Sequence, residues 1–411
     1  MPVTYAPLWR ILDERQLTTM QLRVSTGIAP NTITRLRHNK EVSLSILERI
    51  CDFLKCDFGN ILSYIPEEHS DYTALIGTFT IKNRRYLGNK YKLLPFISRV
   101  VKDECHNIAS VADIFSGTGS VASAFHGCRI ITNDILYSNY ICNFAWFSSL
   151  NFDERKIAEL ICHYNSIHSY YDNYMTRNFA DTYFSRDDCS KIGFIREDIE
   201  KRFNSGFINE RESALLIMAL IYAMDRIANT CGHYDAYIKP TVFNRPLILA
   251  FPQAPRNNSP ENLCFNEDAN ILVRRISADL VYIDPPYNSR QYCDTYHLLE
   301  NVARWEQPEV FGIARKPNRK AQKSKYCSKN AIEAFADLIR HIKARYILFS
   351  YNNMSNKGND RSNARIKDED IFTILSEFGH VRVFEEYHKP FSAGKSNIKG
   401  NTERLFLCTR E

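Results

Sequence analysis

The chain has 411 residues, of which 44% are hydrophobic and 24% charged, so it can bury a sizeable core in two or three domains and is too apolar for general disorder. Its formal charge of +6 and pI near 8.6 are mildly basic, which alone says little about a polyanionic partner. Twelve cysteines lie scattered with no CxxC pair and no Cys/His cluster at zinc spacing, and neither a membrane-length apolar run nor a signal-peptide pattern occurs. A disulfide scaffold, a zinc module and a membrane span are therefore excluded. The expectation is a soluble cytoplasmic protein with reduced thiols and no metal.

From residue 8 to about 65 the pattern is helical. Leu8, Ile11 and Leu12 form one short stripe, and Thr18-x-x-Gln21 is a capping box for the next helix. Gly27-Ile28-Ala29-Pro30 breaks the pattern before a short helix at 31–38 with Ile33 and Leu36 inward. Leu44, Leu47, Ile50, Cys51 and Leu54 mark a fourth, amphipathic helix. Two short helices around a Gly-containing turn, the second with Asn31, Thr34, Arg35, Arg37 and His38 outward, is a helix-turn-helix layout. The segment resembles the Cro/repressor-like helix-turn-helix family. That resemblance implies a recognition helix at 30–38 in the major groove of double-stranded DNA; the competing reading is a small bundle with a solvated polar face. Residues 1–68 form this domain and 69–80 a linker.

Residues 111–115 are a short apolar strand, followed by Ser116-Gly117-Thr118-Gly119-Ser120 and a helix from about Val121. A second strand, 129–132, ends in Asn133-Asp134, which sets an acid 17 residues after Gly117. Glycines admit close approach of a ligand, and such an acid can accept hydrogen bonds from two ribose hydroxyls. Gly117-x-Gly119-x-x-Ala122 also fits a loose dinucleotide fingerprint, so a nicotinamide enzyme stays open at this point. Further on, Leu280-Val281-Tyr282-Ile283 runs into Asp284-Pro285-Pro286-Tyr287. An acid, two prolines and an aromatic ring at a strand's carboxyl end suit gripping an exocyclic amine on a planar ring during methyl delivery.

Together with 85–94, which contains Tyr86-Leu87-Gly88-Asn89-Lys90, these blocks resemble the D12 (Dam-like) class of adenine-N6 DNA methyltransferases, over roughly residues 80–411. The resemblance implies an α/β, Rossmann-like S-adenosylmethionine-dependent methyltransferase fold over 81–411, preceded by the small all-α helix-turn-helix domain. Tyr86, where most members carry Trp, Lys90, Phe115, Gly117, Gly119, Asp134, Asp268 and Asp284 match its cofactor-binding positions, with Glu267 or Ala269 as alternatives to Asp268. Asp284 and the Pro285 carbonyl would take the amine hydrogens of a flipped adenine, and Tyr287 would stack on the base. Proline fixes φ there and has no N–H to compete. No Pro-Cys dipeptide occurs, which argues against a cytosine-C5 enzyme. Asp rather than Ser at 284 favours adenine over cytosine-N4.

An insertion at about 145–260, including an apolar helix at 214–227, stands where this class places target recognition. Asn229, Thr230, His233, Tyr234 and Lys239 are candidates for DNA contact; His233 and Tyr234 serve equally well as structural turn residues. The loop at 315–325 carries six cations in eleven residues and no acid, which suits phosphate contact as well as a solvated face. A strand at 346–351, a helix at 370–378 and an antiparallel pair, 381–386 with 405–408, complete the sheet around a polar loop at 389–400. The expected protein is a restriction–modification or mobile-element DNA methyltransferase with a possible endonuclease partner and possible transcriptional autoregulation. The alternatives are a DNA-binding regulator with a degenerate methyltransferase domain and an RNA adenine-N6 methyltransferase.

Overall fold

The computed structural model describes residues 3–15, 17–37, 40–64, 81, 84–168, 171–239, 243, 245–352, 364–387 and 402–410. His38, the linker expected at 69–80 and the loop expected at 389–400 lie outside the described residues. The chain divides into two compact units, residues 1–73 and 74–411.

In the first unit, β1 (Val3–Thr4) pairs antiparallel with β2 (Ser63–Tyr64). Between them run α1 (Ala6–Glu14), α2 (Thr19–Thr26), α3 (Pro30–Arg37), α4 (Leu44–Leu54) and α5 (Phe58–Ile61). Leu8, Leu22, Ile28, Leu36, Leu47 and Ile50 meet in one core. The Thr18 hydroxyl accepts from the Gln21 amide at 3.2 Å while the Gln21 side chain accepts from the Thr18 amide at 2.8 Å, so two orphan donors of α2 are satisfied. Gly27, at φ +65°, ends α2 in the left-handed region, and Pro30 opens α3 where its missing N–H costs nothing. Asn31, Thr34, Arg35 and Arg37 are exposed along α3. Arg35 donates Nε and Nη2 to the Glu41 carbonyl at 3.0 and 2.7 Å, and Arg37 lies 5.7 Å over the Trp9 ring.

The second unit starts with α6 (Leu94–Glu104), β3 (Ser110–Asp113), α7 (Ser120–Ala124), β4 (Arg129–Asn133) and α8 (Tyr137–Phe147). Then come α9 (Glu154–Ser166), α10 (Tyr174–Phe179), α11 (Arg186–Asn204) and α12 (Glu210–Ile227). The chain returns through β5 (Leu263–Phe265), α13 (Ala269–Leu272), β6 (Leu280–Ile283), α14 (Tyr292–Thr295), α15 (His297–Arg304), α16 (Ala331–His341), β7 (Tyr346–Asn352), α17 (Asp368–Ser376), β8 (His380–Tyr387) and β9 (Thr402–Thr409).

The sheet order is β5-β4-β3-β6-β7-β9-β8, parallel through β7, with β9 antiparallel to both neighbours. β6 and β7 are buried along their whole length, as parallel strands covered by helices on both faces must be. From β3 the chain builds outward to β4 and β5, then crosses to the other side for β6 and β7. The switch point therefore lies between β3 and β6, where open α/β sheets leave a crevice at the strands' carboxyl ends.

The helices at 154–227 pack onto this frame through buried arginines. Arg211 donates to the carbonyls of Ala145 (3.2 Å), Leu150 (2.7 Å) and Pro255 (2.7 Å), and Arg196 to that of Val302 (2.7 Å). Each guanidinium carries five donors, so several loop carbonyls are satisfied at once without water. No helix among the described residues is long and apolar enough to cross a membrane.

Candidate functional site

A cleft opens at the switch point, walled by the loops after β3, β4 and β6 and by the segment at 86–90. The loop after β3 is tied to the end of β4: the Ser116 amide donates to the Asn133 carbonyl at 2.9 Å, and the Gly117 amide to Asp134 Oδ2 at 2.9 Å. Asp134 Oδ1 accepts from the Leu136 amide at 2.8 Å. Burial pushes Asp134 up to about 6, against the lowering effect of those two backbone donors. The Asn139 side chain is a third partner, so of the roughly four lone-pair directions of this carboxylate about one is left.

Gly117 sits at φ +50°, and a Cβ there would stand 3.3 Å from the Tyr86 ring, so glycine lets the loop lie against that ring. Gly119 lies between Thr118 and Ser120, which line the cleft. A Cβ at Gly119 would fall 2.3 Å from Asn143 Oδ1, so glycine lets α8 approach the loop there. Phe115 lines the cleft with its ring edge-on to Tyr326, at 5.1 Å. Asp268 also lines it, capping α13 by accepting from the Asn270 amide at 2.8 Å.

Tyr86 stacks on Tyr296 with centroids 4.5 Å apart, and its hydroxyl accepts from Asn139 at 2.9 Å. The hydroxyls of Tyr296 and Tyr292 grip the Leu87 backbone, one accepting from its amide at 2.7 Å and the other donating to its carbonyl at 3.0 Å. This clamp delivers Lys90 to the end of β6. There Lys90 Nζ lies 2.9 and 2.8 Å from the two oxygens of Asp284 and 3.4 Å from Glu403 Oε1. Burial alone would lower Lys90; Asp284 and Glu403 hold it well above the usual lysine range. Burial pushes Asp284 up to about 6, opposed by Lys90 and helped by Glu403, because one ammonium serves two carboxylates.

Pro285, Pro286 and Tyr287 line the same cleft. The Tyr287 carbonyl is fixed by the Arg365 amide at 2.8 Å, and its ring meets Tyr351 edge-on at 6.4 Å. Two further acids escaped the sequence reading. Asp113, 1% exposed at the end of β3, lines the cleft; burial and the nearby Asp284 charge hold it well above the carboxylate range, against the backbone amides of Ala122 and Phe115. Its signal was an acid inside an apolar strand. Glu403, which also accepts from Ser350 at 2.8 Å, comes from β9 by its pairing opposite Asn352 and carries no motif.

The candidates for DNA contact in the insertion do not share one fate. Tyr234 is 1% exposed with its hydroxyl donating to Asp225 at 2.8 Å, which corrects its assignment: a buried ring so engaged presents nothing to a duplex. Asp225 also pairs with Arg84 at 3.3 Å, so Tyr234 helps join the insertion to the segment that carries Tyr86. Asn229 donates to the carbonyls of Thr182 (3.1 Å) and Ile238 (2.9 Å), and Thr230 is buried. His233 is half-buried beside Asp235 at 3.8 Å, and Lys239 is exposed over the Tyr237 ring. Among the described residues no group of three or more His, Cys, Asp or Glu could hold a metal ion.

A mostly parallel sheet with its cleft at the switch point places the second unit in the Rossmann-like α/β class. The chain belongs to the D12 class N6 adenine-specific DNA methyltransferase family, whose model matches residues 86–359; a Cro/C1-type HTH DNA-binding domain matches residues 7–67. The chain is similar to Modification methylase LlaI of Lactococcus lactis subsp. lactis, 32% identical over 349 residues that cover 78% of this chain and 53% of that protein. With Type II methyltransferase M.FokI of Planomicrobium okeanokoites the identity is 33% over 342 residues, 78% of this chain and 51% of that one. Type II methyltransferase M.NlaIII of Neisseria lactamica is 30% identical over 338 residues, 78% of this chain and 97% of that protein. The chain thus spans about half the length of the first two relatives and nearly all of the third.

The shared ammonium makes a measurable claim about Asp284. Its carboxyl is raised above the ordinary 3.8, so it is ionised above about pH 6 and takes a proton below that. Glu403→Gln removes a neighbouring negative charge and should move the Asp284 titration to lower pH, read by carbon NMR of labelled aspartate carboxyls. A titration that stays in place would mean the two acids do not share Lys90.

Proposed function

We propose that this protein transfers a methyl group from S-adenosylmethionine to N6 of a flipped-out adenine in double-stranded DNA, as the modification enzyme of a restriction–modification system. The observation that carries this reading is the Asp284 carboxylate, held by Lys90 at the end of β6 in the same cleft as Asp134. The names of the similar proteins support the modification context.

The residues of the cleft fit the cofactor. Asp134 keeps acceptor capacity for a ribose hydroxyl, Gly117 lets the loop lie against Tyr86, and Asp113 stands in the cleft wall. Phe115 and Asp268 complete the nucleoside end. When bound, S-adenosylmethionine supplies an electrophilic methyl carbon. The exocyclic amine of adenine is a poor nucleophile because its lone pair is delocalised into the ring. Asp284 and the Pro285 carbonyl each accept one amine hydrogen, which draws the nitrogen toward sp³ geometry and localises that lone pair. Tyr287 covers the face of the base. An ionised Asp284 then takes the proton that the nitrogen sheds, a role suited to a group that titrates at about 6. Positioning and fixed charge supply the acceleration, with no covalent enzyme intermediate. The target must leave the base stack to reach this cleft.

Asp284→Ala should lower methyl transfer to adenine in DNA by about 100- to 1,000-fold, since it removes the principal hydrogen-bond acceptor. Cofactor binding should be retained, because Glu403 still pairs with Lys90. Asp134→Ala should do the reverse and weaken cofactor binding first. Both are read by isotope transfer and by calorimetry, and an active Asp284→Ala protein would sink the reading. The first unit, with α3 exposed, is proposed to bind DNA in its own right, for target search or for regulating a promoter. Removal of residues 1–68 should therefore spare methylation and abolish retarded promoter bands in gel shifts. Loss of site specificity instead would make that unit part of the target reader.

A further inference from the structure

Residues 311–316 form a tight hairpin: Phe311 and Lys316 exchange backbone hydrogen bonds at 2.9 and 3.0 Å, and the Arg315 amide closes the turn on the Gly312 carbonyl at 3.1 Å. Its tip is apolar and outward. Ile313 is 79% exposed, the most of any large apolar side chain among the described residues, and Phe311 is 58% exposed. Its base is rigid. The Ala314 carbonyl lies 2.8 Å from Nε2 of the buried His297 and 3.1 Å from the Tyr183 hydroxyl, and Lys316 pairs with Asp235 at 2.8 Å. Arg319 pairs with Asp294, on α14.

The hairpin stands beside the cleft. The chain that leaves it reaches the cleft wall at Gln322, Ser324 and Tyr326. Cys293 in the cleft wall is the neighbour of Asp294, which pairs with Arg319 just past the hairpin. Its surroundings are positive: residues 310–332 hold seven Lys and Arg and no acid, and Arg290, Arg315, Lys320 and Lys323 are exposed. Two apolar side chains are far too little surface for a stable protein partner, which buries on the order of 1,000 Å² or more. They match the apolar wedge with which proteins part a base step, framed by cations for the flanking phosphates.

We propose that Phe311 and Ile313 are a wedge that enters the duplex beside the target and fills the space the flipped adenine leaves. This rests on the DNA-methylation reading above. The test compares the wild-type protein with the Phe311→Ala/Ile313→Ala double variant on short duplexes that carry the site mapped by sequencing. In one duplex the target adenine is paired; in the other it faces an abasic site, so it is already unpaired. Both side chains lie in solvent, so an unchanged melting temperature checks the fold. On the paired duplex kcat/KM should fall by about tenfold or more, and on the abasic duplex the two proteins should agree within about threefold. No loss on the paired duplex, or equal loss on both, overturns the wedge alone. A wild-type protein that methylates neither duplex overturns the methylation reading, and the wedge with it.

Discussion

One buried ammonium organises the cleft of the second unit. Lys90 reaches Asp284 from a segment held by Tyr292 and Tyr296, which themselves follow the Asp284 tetrapeptide in sequence. Glu403 arrives from the antiparallel end of the sheet. Three distant parts of the chain therefore close on a single cation, and the cluster keeps a net negative charge inside a low-dielectric site. Burial raises the Asp284 carboxyl, Lys90 opposes that rise and Glu403 adds to it, so Asp284 is ionised at neutral pH yet sits close to its titration range. A carboxylate held this way can accept amine hydrogens without a large reorganisation as the reaction proceeds.

The insertion is joined to the same machinery by charge rather than by a loose linker. Arg84, two residues before Tyr86, pairs with Asp225 on α12, and Asp225 accepts from Tyr234. Arg196 and Arg211 satisfy carbonyls of the frame from within the insertion helices. These contacts pack the Tyr86–Lys90 segment and the helices at 154–227 against one another.

Much of this was legible in the sequence because parallel strands announce themselves as short apolar runs and glycine loops as breaks between strand and helix. The runs ending at Asp134 and Asp284 became β4 and β6, and Thr18 with Gln21 formed its capping box. What was hidden follows from how the information is carried. Glu403 lies opposite Asn352 only because β9 folds back on β7, a pairing that no local pattern encodes. The close approach of Asn143 to Gly119, from a helix further along the chain, is likewise absent from the local pattern. Tyr234, in a polar turn, looks exposed until Asp225 is placed beneath it. The three-residue β5 is too short for periodicity to reveal.

The central claim is that Lys90 keeps Asp284 ionised, and its most direct test is the pH dependence of single-turnover methylation in Lys90→Met. Without the ammonium the Asp284 carboxyl should titrate above its present value of about 6, so the acid limb of the rate profile should move to higher pH and the rate at neutral pH should fall. A Lys90→Met profile that overlays the wild-type curve would contradict the claim.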